Sequence, residues 1–123
     1  MHVAADEKCR LAPRLRAEIA YVAARDDRAW YAVDQARRRL NALGLSDDDV
    51  FALDKADSQP APTRAALAFA RKLTTDPALV TDADVAGLRT LYSDHEVAEI
   101  VHLVTEAAFF DRVTEAAGLK VED

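Results

Sequence analysis

Cysteine is the scarcest chemistry in this chain. Of 123 residues only Cys9 carries a thiol. One thiol makes no intrachain disulfide, no zinc cluster and no Cys-x-x-Cys redox pair. Glycine is nearly as rare, at 3 positions. Tight hairpin turns draw on glycine, so an all-β domain is disfavoured from composition. Long apolar runs are missing too. None exceeds six residues, the length of Ile19 to Ala24, which is far short of the ~20 residues that cross a bilayer. Met1 is followed by Asp6, Glu7 and Lys8 rather than an apolar stretch, so no secretory leader is expected, and the chain reads as cytoplasmic.

Excess positive charge is also absent. There are 16 Lys and Arg against 22 Asp and Glu, a formal charge of −6. Nucleic-acid affinity rests on neutralising backbone phosphates, so neither nucleic acid nor membrane is an expected partner. The charge is uneven: residues 1–45 are net +3 and residues 46–123 net −9. The run Arg37-Arg38-Arg39 is the one basic cluster and reads as a solvated helix face.

What is abundant is alanine, at 26 positions, the best helix former. After an irregular lead-in over 1–12, Pro13 suits a first helical turn. Leu15, Ile19, Val22 and Ala23 then recur at helical spacing to about Arg25. Asp26 or Asp27 is expected to cap a second helix from Arg28 to Leu43, stopped by Gly44. Its apolar stripe holds Ala29, Ala32, Val33, Ala36, Leu40 and Leu43. Ser46 with Asp49, Thr81 with Asp84, and Ser93 with Glu96 have capping-box spacing. They predict helices over 47–53, 82–91 and 94–117. A further helix spans 63–73, after a loop over 54–62 that contains Pro60 and Pro62. The expectation is one all-α domain, 1–123, a bundle of about six helices.

The last helix carries the densest chemistry. His95, Glu99, His102 and Glu106 share one stripe. Glu99-x-x-His102 has the spacing of half a di-iron site, but no second such pair exists. The stripe therefore reads as solvated ion pairs, and no metal or other cofactor is expected. Asp111 falls near the apolar side, where a carboxylate must be paired or protonated. It is either a structural tie or a pocket acid. Glu18 flanks the apolar stripe of the first helix and is either an arginine's partner or a base with a raised pKa. Trp30 reads as core or interface. Cys9 reads as an incidental thiol.

These fragments, in order, resemble the carboxymuconolactone decarboxylase-like superfamily, which includes the alkylhydroperoxidase D enzymes. The resemblance runs from about Pro13 to Val121. It rests on the Pro13-Arg14-x-Arg16 helix start, on Gly44-Leu45-Ser46-Asp47, and on the alanine-rich Arg64–Ala70. Leu73-Thr74-x-Asp76-Pro77, Val80-Thr81-Asp82 and Phe109-Phe110-Asp111-Arg112 ahead of Gly118 complete it. The redox members of that family carry a glutamate, a Cys-x-x-Cys and a following histidine. An ungapped register places Ala17 at the glutamate, Ala29 and Ala32 at the cysteines, and Ala36 at the histidine. Glu18 stands one residue from the glutamate position.

The resemblance thus implies the fold without its dithiol chemistry: a redox-inactive, degenerate site on an oligomeric binding or structural protein, assembled through helix faces. The alternative is a non-redox enzyme of decarboxylase or lactone-processing type acting on a small organic acid. There Arg112 would bind a carboxylate, Asp111 or Glu18 would move a proton, and Trp30 and Phe109 would line the pocket. Peroxidase chemistry through an intermolecular Cys9 pair is a third, weaker expectation.

Overall fold

The computed structural model describes residues 11–55 and 58–118. Cys9 lies outside them. Among the described residues there are six α-helices, two short 3₁₀ turns and no strand. The helices are α1 (Pro13–Asp27), α2 (Trp30–Ala42), α3 (Asp47–Phe51), α4 (Ala61–Thr75), α5 (Asp82–Arg89) and α6 (Asp94–Ala116). None of them is long and apolar enough to cross a membrane.

Local chemistry explains most of the boundaries. All three capping boxes form. Ser46 Oγ accepts the Asp49 amide at 3.1 Å, while the Ser46 amide donates to Asp49 at 3.0 Å. Thr81 with Asp84, and Ser93 with Glu96, make the same reciprocal pairs. Aspartate is shorter than the usual glutamate, yet it closes the box here. Gly44 follows α2 at φ +101°, a left-handed conformation that an L side chain resists.

Two expectations are corrected. Asp26 and Asp27 do not cap the second helix; they finish α1. Arg28 turns left-handed (φ 57°) and donates its amide to the Ala24 and Arg25 carbonyls, which closes α1. Helix α2 then starts at Trp30 behind Ala29, with no side-chain cap. The loop before α4 is also shorter than expected. Pro62 sits in the first turn of α4, where a missing N–H costs nothing.

Helix α1 is the hub, packing against α2, α4 and α6. Ile19, Val22, Leu40, Val50, Leu53, Leu67 and Ile100 meet in one buried core. A smaller cluster of Ala24, Ala29 and Ala32 closes the α1–α2 corner. Small side chains at that corner let the two helices approach closely, and this fixes the walls of the site described next.

Candidate functional site

Three helical stripes face a common space. On α1 they are Pro13, Arg16, Ala17 and Ala20. On α2 they are Ala32, Gln35, Ala36 and Arg39. Both sets recur at 3–4 residues, so each is one face of its helix. Helix α6 supplies the opposite wall, with His102, Glu106, Ala107, Phe109, Phe110 and Asp111 among its contributions. Together they bound an open groove of about 910 Å³. Ala17, Ala32 and Ala36 form its buried floor. Phe109 is 70% exposed on its lip, and Phe110 packs against Tyr31 with ring centroids 6.3 Å apart.

The charged residues of the groove are not equivalent. Arg16 pairs with Glu99 at 3.1 Å, and Glu99 also accepts the Leu11 amide at 2.8 Å. Glu99 therefore ties α6 to the start of α1 and is not a free ligand. His102 and Glu106 pair at 3.3 Å in solvent. Of the basic run, Arg37 and Arg38 both grip Asp34, at 2.7 and 2.8 Å. Arg39 alone of the three reaches the groove, and it has no ion pair among the described residues.

Asp111 is the unusual member. It is 2% exposed, and neither of its carboxylate oxygens meets a donor. Asp27, at the end of α1, presents a second buried oxygen without a donor. Burial, and then the neighbouring Asp27 carboxylate, push the Asp111 carboxyl up to about 8. Arg112 pulls in the other direction and Glu115 adds to the rise.

The other expected site residues lie elsewhere. Glu18 is buried but sits off the groove, one residue and about 100° around α1 from Ala17. Desolvation raises its pKa, opposed by the Arg14 guanidinium at 3.3 Å. Arg112 is exposed and does not line the groove. Trp30 is half exposed and also off it; Arg25 stacks over its ring at 5.8 Å. Ala29 is buried in the α1–α2 corner, ahead of α2 rather than on the groove. Among the described residues no group of three or more His, Cys, Asp or Glu could hold a metal ion.

Reading the sequence missed Arg16, Arg39 and Asp27. The signal was present for two of them. Arg39 lies three residues after Ala36 and seven after Ala32, and Asp27 lies seven after Ala20. Arg39 therefore continues a stripe that lines the groove, and Asp27 continues the α1 stripe past the groove's end.

No family model matches the chain, and no curated protein matches it. Among solved structures the chain is similar to the debrominase Bmp8, crystallised as a cysteine-to-alanine variant in complex with 2,3,4-tribromopyrrole. The TM-score is 0.82 at 21% identity, over 97% of this chain and 66% of that one. The shared feature is the fold, which is all-α and of the alkylhydroperoxidase D-like kind.

Proposed function

We propose that the groove between α1, α2 and α6 binds a small, planar, mostly apolar organic acid, and that the chain, which has no thiol pair, is a redox-inactive binding protein on this fold. The composition of the groove carries this reading. Its floor is alanine, its lip is phenylalanine, and Arg39 stands at its edge without an internal carboxylate. Apolar walls favour a ring, and a guanidinium fork matches a carboxylate. Arg39 replaces Arg112 in that role, because Arg112 points away from the groove. The ligand of Bmp8, a halogenated pyrrole, supports the size and flatness suggested here.

Benzoate and pyrrole-2-carboxylate are suitable probes, followed by amide chemical shifts. Perturbations are expected along 13–20, 32–39 and 102–111. Arg39→Ala should weaken binding about tenfold, the scale of one charge-assisted hydrogen bond. Shifts confined to other surfaces, or an affinity indifferent to Arg39→Ala, would refute the reading. Peroxide consumption with dihydrolipoamide should stay at background in both the native chain and Cys9→Ser; turnover above background would end the claim of redox inactivity.

Asp111 favours a second reading. Asp111 is a carboxyl of raised pKa in the groove wall, and a lactone or acid seated deeply enough to reach its oxygens would meet a proton donor, so the site suits a non-redox enzyme as well as a binding protein.

Self-association belongs to the same proposal. Trp30, Phe109, Phe110 and Val113 are 50%, 70%, 45% and 47% exposed. Aromatic residues clustered at the surface are typical of interface cores, and a second copy of the chain is the partner inferred. Light scattering should give a multiple of 13.5 kDa, and Phe109→Glu should return a monomer. A native chain that runs as a monomer at high concentration would exclude this.

A further inference from the structure

Asp27 and Asp111 meet where the end of α1 packs against the last turns of α6. Asp27 Oδ2 and both oxygens of Asp111 are shut off from solvent, and no donor among the described residues reaches them. Two buried carboxylates that face each other, with no paired cation among the described residues, resist being charged together. One proton between them converts an acceptor into a donor and satisfies both sides. The left-handed stop at Arg28 ends α1 on Asp27, which is thereby the last residue of that helix.

The charges around the pair leave it uncompensated. From α6, Arg112 is exposed and favours ionisation, while Glu115 opposes it. From α1, Asp26 adjoins Asp27; it is itself attended by Arg71 of α4 and by Arg25. From α2, Arg39 lines the same groove but makes no ion pair with Asp111. Among the described residues no cation is paired with either carboxyl.

We propose that Asp27 and Asp111 hold a single proton between them, and that this proton allows the groove to accept an anion. Asp111 forms part of the groove wall. With one proton the pair carries one negative charge; without it, two. A carboxylate in the groove would face that doubled charge across the groove wall. Binding of an anion and ionisation of the pair therefore oppose each other, and by linkage each weakens the other to the same degree. Asp27 is a positioning residue in this scheme, acting through Asp111. The second half of the proposal rests on the groove reading above; the shared proton does not.

The test has two arms. The first follows the side-chain carboxyl carbons of ¹³C-aspartate-labelled protein from pH 4 to 10. Asp27 and Asp111 should move together, with a shared step near pH 8. Asp27→Asn should leave Asp111 a single step, shifted down by at least one pH unit, and Asp111→Asn should remove the alkaline step. Independent titration of both residues below pH 5 would overturn the proposal. The second arm measures the dissociation constant of benzoate between pH 6.5 and 9.5. It should be constant to about pH 7.5 and rise at least threefold by pH 9.5, with no such rise in Asp111→Asn. A flat native profile would overturn the gating role. Absence of benzoate binding at every pH would instead reject the groove reading and the gating with it, while a coupled titration in the first arm would still uphold the shared proton. If the variants fail to fold, the native titration and the native benzoate profile decide alone.

Discussion

Asp111→Asn is expected to raise the melting temperature measured at pH 8 by at least about 5 °C, and to change it little at pH 4.5. Most substitutions of a buried residue destabilise, so the direction is informative. The carboxyl of Asp111 is held near 8 in the folded chain, against about 4 when unfolded. Between those values the folded chain keeps a proton that the unfolded chain has released. Stability therefore falls as pH rises through this window, by about 1.4 kcal/mol per pH unit at most, and levels off above pH 8. Glu18, also raised by burial, adds a slope of the same sign. Asparagine supplies the missing donor to Asp27 covalently and removes the Asp111 contribution to the slope. Melting curves at pH 4.5, 6, 7 and 8 would show it. A variant that melts lower than the native chain at pH 8 would mean that Asp111 is held ionised by a partner.

Ile100→Ala is expected to destabilise by about 2–5 kcal/mol, while Val101→Ala should stay within about 0.5 kcal/mol. Ile100 is fully buried, in the core shared with α1, whereas Val101 is 38% exposed one position on. Removing the larger side chain leaves a cavity that packed helices relax only in part. Urea unfolding of both variants would separate them. Similar losses would mean that α6 is rotated from the orientation described, and would place Asp111 elsewhere, since residues 100 and 111 are three turns apart on the same helix.

The helices were legible because their signals are local. Capping boxes at Ser46, Thr81 and Ser93, and the glycine stop at Gly44, depend on residues three or four apart. A boundary failed where two local signals competed. Asp26 and Asp27 are good caps in isolation, but the left-handed turn at Arg28 closes α1 with two backbone bonds and carries both aspartates with it. The α6 stripe was read as wholly solvated; Glu99 departs from this because α1 brings Arg16 and the Leu11 amide to it. Arg37, Arg38 and Arg39 were read as one patch. Asp34 splits them, since its i+3 and i+4 neighbours on the helix are Arg37 and Arg38 but not Arg39.

By itself the sequence determined the all-α class, the order of six helices, and the absence of any paired-thiol chemistry within one chain. These follow from propensity, capping and a single cysteine, which no packing can change. Only the tertiary structure decided which groups meet. It placed Ala17, Ala32 and Ala36 on one groove floor, kept Glu18 and Arg112 off it, brought Arg39 to its edge, and set Asp27 against Asp111. Asp27 and Asp111 are 84 residues apart in the chain. Their meeting depends on the angle at which α6 crosses α1, and that angle is set by how the core side chains of both helices pack, not by any local pattern.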